Sequence, residues 1–284
     1  MSLSGRSASF VARLVTPVLA GLVLLAAAPA SVAAAPPTIS VARGGGPSTI
    51  GYDISYPQCG GPFPTNPAFG IVGVNRGIVF SPNPCLGTGN GPSELEWAGG
   101  LDAQLYANTG NPGPDLSTHW PDGQTFPREC NTAASPGSDT VDCAYDYGWN
   151  AAADSYQTAV QAYISLGLAP ADATSTPTAN AWWLDVETSN SWRSDVTLNV
   201  AALEGAVAYL QSAGAAGIGF YSTQQQWNQI TGGTLAFAAN PSWVAGARTS
   251  RQARNNCGPS GFTGAAVAMT QYFAKGFDAD LRCQ

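Results

Sequence analysis

The sequence predicts an α/β fold built on a parallel β-sheet that helices cover. Apolar strand-like runs alternate with helix-like stretches along the chain, which is the order of elements in a parallel sheet. Several of the runs are apolar at nearly every position, as expected of strands buried on both faces. The folded part, about 250 residues, has the size of one large α/β barrel or of two small domains, and the lack of an internal linker favours one domain.

Seven strands are predicted from the apolar runs. They cover residues 49–54, 69–75, 101–107, 181–186, 218–221, 242–245 and 266–272. Residues 110–142 are rich in Pro, Gly and Asp and show no periodicity, which predicts a long ordered loop.

Three helices are predicted from apolar positions at helical spacing. They cover residues 145–166, residues 196–213 and a short segment between Thr223 and Gly232. Ser194 or Asp195 would cap the second helix. Gln226, three residues after Thr223, gives the spacing of a capping box in the third.

The N-terminal segment has the pattern of a secretory signal peptide. A short basic region with Arg6 and Arg13 precedes an apolar run that ends in small residues. A single membrane anchor is the alternative, but the run is short for one and lacks a basic stop. The predicted boundaries are residues 1–33 for the signal peptide, 34–48 for a disordered leader and 49–284 for one folded domain.

The charge balance limits the classes of partner. Lys and Arg number 11 against 18 Asp and Glu, and loss of Arg6 and Arg13 with the signal peptide leaves nine against 18. Such an acidic chain is not expected to bind nucleic acid or, after signal cleavage, an anionic membrane. We expect a monomeric extracellular protein that is either free or associated with the cell wall.

Six cysteines in an exported chain predict disulfide bonds. Fifteen pairings are possible in principle. The simplest is the pairing of neighbours along the chain, namely Cys59–Cys85, Cys130–Cys143 and Cys257–Cys283.

The segment AWWLDVE at residues 181–187 holds the strongest candidate for chemistry. In a strand, Trp183, Asp185 and Glu187 share one face, which would look into a barrel if helices cover the other. Ionising two buried carboxyl groups that lie close together is energetically unfavourable. The pKa of one of the two groups should therefore rise, as a general acid requires. Trp183 could stack on a sugar ring. A solvated or helix-capping pair at a strand end is the alternative.

Two further acids are expected at the same end of the sheet. Asp53 ends the first predicted strand, and Asp278 lies just beyond the last. The first and last strands of a closed barrel are neighbours, so these residues could approach each other. In such barrels the active site lies at the C-terminal ends of the strands, where Asp185 and Glu187 are also expected.

Five short motifs, in order, carry a family resemblance. They are GYDIS at 51–55, LDVE at 184–187, GFYS at 219–222, SWVA at 242–245, and TQY at 270–272 followed by FDAD at 277–280. Together they resemble the family 25 glycoside hydrolases, the lysozyme-type muramidases. The D-x-E strand is the most specific of the matches.

The resemblance implies a single TIM-barrel-like (β/α)-barrel, with some outer helices short or missing and loops stapled by disulfides. It implies cleavage of β-1,4 bonds in peptidoglycan or a related N-acetylated glycan, without a metal or cofactor. Glu187 would be the general acid, Asp185 would orient the acetamido group or stabilise the transition state, and Asp53 and Asp278 would complete the cluster. The groove would be lined by Tyr221, Trp243 and Gln271, with Asn75 and Trp183 as further substrate contacts.

Departures from the family pattern keep two other hypotheses open. VNRG at residues 74–77 stands where a Lys-Ala-Thr-Glu-Gly-like run is usual, LYAN at 105–108 stands where a Tyr-His pair is frequent, and His119 lies in the long loop. These changes favour a non-catalytic carbohydrate-binding or cell-surface protein. A secreted structural or interaction protein is the third hypothesis. The single lysine, Lys275, is typical of GC-rich bacterial, especially actinobacterial, proteins.

Overall fold

The computed structural model describes residues 50–283. The signal peptide and leader predicted for residues 1–48 lie outside the described residues. Eight strands close into one barrel in sequence order. They are β1 (Ile50–Ile54), β2 (Gly70–Gly73), β3 (Gln104–Asn108), β4 (Ala181–Asp185), β5 (Gly217–Ser222), β6 (Ser242–Ala247), β7 (Val267–Ala274) and β8 (Phe277–Arg282). The predicted α/β barrel is confirmed.

One strand departs from the predicted parallel sheet. β1 to β7 run parallel to one another, whereas β8 is antiparallel to both β7 and β1. The segment expected beyond the last strand is therefore the eighth strand. Lys275 (φ 54°) and Gly276 (φ 87°) make the two-residue turn that folds it back, because both adopt the left-handed region that such hairpin turns require.

Six helices are described: α1 (Glu94–Trp97), α2 (Val141–Ser165), α3 (Pro170–Ala179), α4 (Val196–Ser212), α5 (Gln224–Thr231) and α6 (Ser250–Asn256). The three predicted helices are α2, α4 and α5, and the cap of α4 is Asp195. Gly148 of α2 and Gly205 of α4 lie against the backbone of the facing helix, so the two helices are in backbone contact at these glycines. Within residues 50–283, no helix is long and apolar enough to span a membrane.

Strand alternation produces two apolar layers. Trp182, Leu184 and Val186 point outward into the core between the sheet and the helices. The interior of the barrel is filled by Ile71, Trp183, Trp243 and Met269. The faces predicted for residues 181–187 are therefore confirmed, because period two assigns successive side chains to opposite faces.

The three disulfides are those of the neighbour pairing: Cys59–Cys85, Cys130–Cys143 and Cys257–Cys283. Residues 109–140 contain neither helix nor strand, so the loop predicted for residues 110–142 ends two residues early, where α2 begins. Cys130–Cys143 ties this long loop to the first turn of α2. Arg128 adds a second attachment, since it pairs with Asp142 at 3.1 Å and its guanidinium lies 3.7 Å from the centre of the Tyr145 ring.

Candidate active site

Five carboxyl groups cluster at the mouth of the barrel and in the layer just below it, where the parallel strands end and β8 begins. They belong to Asp53 on β1, Asp185 and Glu187 at the end of β4, and Asp278 and Asp280 on β8. Each lies close enough to at least one other for their charges to interact. The structure thus brings together all four predicted acids and adds Asp280, which was not singled out from the sequence.

Asp53 stands at the centre of the β1 side of this cluster. It lies directly opposite Asp278 in the β1–β8 register. Its Oδ2 accepts a hydrogen bond from Gln271 Nε2 at 2.9 Å, and Gln271 Oε1 accepts one from the Tyr221 hydroxyl at 2.8 Å. Tyr221 and Gln271 therefore adjoin the acids at the mouth, and their contact with a substrate stays a prediction.

Asp280 lies one layer below Asp53 and is fully buried. Its Oδ1 accepts a hydrogen bond from Trp243 Nε1 at 2.8 Å, and its carboxyl is also hydrogen-bonded to Asp53. Burial, and then the charge of Asp53, raise the pKa of Asp280 well above its usual range. This shift favours the protonated form of Asp280, the form that can donate to Asp53.

The pKa of Asp53 is raised to about 7, first by burial and then by repulsion from Asp278. The hydrogen bonds from Gln271 and Asp280 act in the opposite direction, because they stabilise the ionised form. Asp53 therefore changes charge near neutral pH.

The side chain of Asp185 is held in place by a hydrogen bond from Asn108, the last residue of β3. The Asp185 side chain is buried, and Oδ2 accepts a hydrogen bond from Asn108 Nδ2 at 2.6 Å. The Asn108 backbone N–H donates to Asn75 Oδ1 at 2.9 Å, and Asn75 Nδ2 donates to Ser155 Oγ at 3.2 Å. Burial, followed by the charge of Glu187, raises the pKa of Asp185 well above its usual range.

This network corrects the role predicted for Asn75. The side chain is 1% exposed, so it cannot touch a substrate. Both of its polar atoms are used inside the protein, where they hold Asn108 against Asp185. Asn75 is a positioning residue.

Glu187 lies just past β4 and is partly exposed. Burial, followed by the charge of Asp278 across the mouth, raises its pKa, whereas a hydrogen bond from Gln226 lowers it. The Thr223 hydroxyl accepts from the Gln226 backbone at 3.1 Å, as in the predicted capping box. The Gln226 side chain instead turns to the site, where its Oε1 accepts from the Thr188 backbone at 2.6 Å.

Trp183 and Trp243 do not offer their rings to a ligand, contrary to the prediction. They are 0% and 2% exposed. Trp183 Nε1 donates to Gln104 Oε1 at 2.8 Å, and the two indole rings pack edge to face with centroids 5.8 Å apart. Inward residues at mid-strand fill the interior of such a barrel in layers, so these tryptophans form the floor beneath the acids.

Four residues at the site were missed from the sequence: Tyr106, Asn108, Gln226 and Asp280. Tyr106 points inward from β3, and its hydroxyl is hydrogen-bonded to Ser55. Burial, and then the charge of Asp53, raise the pKa of Tyr106 well above its usual range. The alternation of Asp278 and Asp280 within one strand could have revealed Asp280, had β8 been predicted.

His119, the only histidine, lies outside the acid cluster. Its ring stacks on Phe80 with centroids 4.2 Å apart. Within the described residues, no three His, Cys, Asp or Glu side chains are placed so that they could hold a metal ion.

Comparison with known proteins finds similarity in the central part of the chain. Residues 150–256 match the family described as lysozyme-like protein 1. Over 63 residues the chain is 44% identical to the Dictyostelium discoideum protein named "Probable GH family 25 lysozyme 4". The chain is similar to family 25 lysozymes. The 63-residue match covers 22% of this chain and 29% of that protein.

Solved structures are similar over most of the chain. The family GH25 lysozyme from Aspergillus fumigatus is 17% identical with a TM-score of 0.49, and the match covers 83% of this chain and 93% of that one. The muramidase from Trichobolus zukalii is 17% identical with a TM-score of 0.47, covering 84% and 94%. The lysozyme-like segment, residues 150–256, contains Asp185, Glu187, Tyr221 and Trp243.

Proposed function

We propose that this protein is a secreted glycoside hydrolase that cleaves β-1,4 bonds of peptidoglycan or a related N-acetylated glycan. One observation carries the proposal. Glu187, within the lysozyme-like segment, is a partly exposed carboxyl group with a raised pKa that faces Asp278 across the mouth. Two carboxyl groups flanking a cleft are the usual apparatus for breaking a glycosidic bond.

In the proposed reaction, protonated Glu187 gives its proton to the glycosidic oxygen as the bond from that oxygen to the anomeric carbon breaks. Positive charge then develops on the sugar ring, where the carboxylate of Asp278 and, above about pH 7, that of Asp53 as well would stabilise it. Water adds to the anomeric carbon and returns a proton to Glu187, so one water is consumed and two hydroxyl groups form. Asp185 orients the acetamido group of the substrate.

The non-catalytic alternative is a carbohydrate-binding or cell-surface protein on the same barrel. The ends of β2 and β3 favour it. Asn75 lies just past β2 and Asn108 ends β3, and both side chains are amides that cannot donate a proton as an acid, unlike Glu187. A barrel of this kind would bind glycan without cutting it.

The test is release of reducing ends from purified peptidoglycan by the exported form of the protein. We expect activity in the parent and its loss in Glu187→Gln, since a general acid contributes a rate factor of about 10² to 10⁴. Glu96→Gln, which changes an exposed glutamate of α1, is the matched control and should keep full activity. Sedimentation with insoluble peptidoglycan supplies the second measurement. Binding without release would support the alternative, and neither binding nor release by folded protein would contradict both.

The cellular setting is part of the proposal. We infer that the protein is exported and cleaved near residue 33, which leaves a folded domain of residues 49–284. We also infer that this domain acts as a monomer and that the protein is of bacterial, specifically actinobacterial, origin. The acidic composition supports partners other than nucleic acid and membranes. The mass of the protein recovered from culture medium tests the cleavage site, and its sedimentation velocity tests the monomer.

A further inference from the structure

The β7–β8 hairpin places one aromatic side chain in line with the acids. Phe273 lies directly opposite Asp278 in the β7–β8 register, and Asp278 lies directly opposite Asp53 in the β1–β8 register. Directly opposed residues of antiparallel strands share a face, with their Cβ atoms roughly 5 Å apart. The three side chains therefore form one row across three adjacent strands.

The shared face is the interior face of the barrel. Along β7, Met269 packs with the interior tryptophans, Gln271 donates to Asp53, and Phe273 is the next residue on that side. Phe273 is thus the uppermost inward residue of β7, above the layer that contains Gln271. It is 66% exposed, whereas Met269 is fully buried.

A single exposed apolar side chain is ordinary on a protein surface and by itself needs no explanation. Leu235, between α5 and β6 at the opposite end of the barrel, is 67% exposed and adjoins no acid cluster. Phe273 differs because its strand register fixes it beside Asp278 at the mouth. Because its ring is largely exposed in the folded protein, it is available for contact with a ligand.

We propose that Phe273 is a platform on which a sugar ring of the glycan stacks, next to the bond that is cut. This inference rests on the proposed function and assigns to that site a subsite for an N-acetylated hexosamine. A pyranose ring has a face of C–H groups and an edge of hydroxyl and amide groups. The C–H face fits the negative face of an aromatic ring, and the polar edge fits carboxylates such as Asp278 and Asp53.

The test compares Phe273→Ala, Phe273→Trp and Phe273→Leu with the parent on soluble peptidoglycan fragments. The alanine variant should show about a tenfold higher KM with kcat unchanged, the effect expected from loss of one aromatic contact. The Phe273→Trp variant should keep KM within about twofold of the parent value. The Phe273→Leu variant should show the same rise in KM as Phe273→Ala, because it lacks a flat aromatic ring. Leu235→Ala is the matched control and should leave KM, kcat and the melting temperature unchanged.

A binding measurement separates this inference from the proposed function. Fragment affinity is measured by calorimetry in the Glu187→Gln background, where no hydrolysis is expected, with and without Phe273→Ala. About tenfold weaker binding in the double variant supports the platform even if the parent does not cut. Equal affinity and equal KM in an active parent would overturn the platform and leave the hydrolase standing. A folded parent that neither binds nor cuts the fragments would overturn both.

Discussion

Asp280 and Trp243 are joined by a buried hydrogen bond of 2.8 Å from the indole N–H to the carboxyl oxygen, beneath the candidate active site. The same carboxyl group is hydrogen-bonded to Asp53, which titrates at about pH 7. Asp280 therefore connects the apolar floor of the barrel to an acid that a substrate can reach. Its pKa is raised well above the usual range, which favours the neutral, hydrogen-bond-donating form.

The first prediction follows from this neutral state. The amide of Asp280→Asn offers an oxygen to Trp243 and an N–H to Asp53. The free energy of unfolding of this variant at pH 7 should therefore differ from that of the parent by no more than about 1 kcal/mol. Asp280→Ala should lose about 2–4 kcal/mol, because it leaves the Trp243 N–H unpaired and opens a cavity. Urea denaturation measures both. An asparagine variant as unstable as the alanine variant would mean that Asp280 is ionised in the folded protein.

Gln226 gives a prediction on pH dependence. Its hydrogen bond stabilises ionised Glu187 and lowers the pKa of that carboxyl. If Glu187 is the general acid, it must be protonated to act, so Gln226→Ala should move the alkaline limb of the kcat/KM profile to higher pH. Gln225→Ala, on an exposed position of the same helix, is the control. A limb that stays in place, or moves to lower pH, would count against Glu187 as the acid.

Strand alternation explains why part of the site was predictable. Period two at residues 181–187 assigned Asp185 to the interior face, and the position of Asp53 at a strand end placed it at the mouth. Alternation gives the face of a strand but not the depth along it. Trp183 and Glu187 share a face, yet one is fully buried in the floor and the other is partly exposed at the mouth.

The remaining errors have local causes. α1, α3 and α6 are short, from four to ten residues, and they are too short or too polar to show helical periodicity. The apolar pattern does not indicate β8, because only a two-residue turn separates it from β7 and its residues alternate with aspartates. Side-chain contacts such as Asn75 with Asn108 link loops and strands distant in sequence, and no local pattern indicates them.

Trp183 provides a prediction that separates packing from ligand binding. Trp183→Phe removes the indole N–H that pairs with Gln104 Oε1 and leaves a void in the barrel. We expect a loss of about 2–4 kcal/mol in the free energy of unfolding, with KM for peptidoglycan fragments unchanged. Adding Gln104→Leu should recover part of the stability, because the unpaired oxygen is then gone. A raised KM with unchanged stability would instead make Trp183 a substrate contact.

Asp146 gives a prediction on stability against pH, away from the site. It is fully buried on α2, and its Oδ1 accepts a hydrogen bond from the Arg128 backbone of the long loop at 3.0 Å. Burial raises its pKa from 3.8 to about 6. Because the folded pKa is the higher one, its contribution to stability is complete below about pH 4 and is lost as pH rises through about 6.

Asp146→Asn keeps the oxygen that Arg128 needs and removes the charge. The variant should therefore gain stability relative to the parent as pH rises from 4 to 8, by at most about 3 kcal/mol. Urea denaturation of both proteins across this range measures the difference. Asp115→Asn, on an exposed position of the same loop, should leave the pH dependence unchanged. A difference between parent and Asp146→Asn that is the same at pH 4.5 and pH 8 would show that folding does not perturb the Asp146 carboxyl.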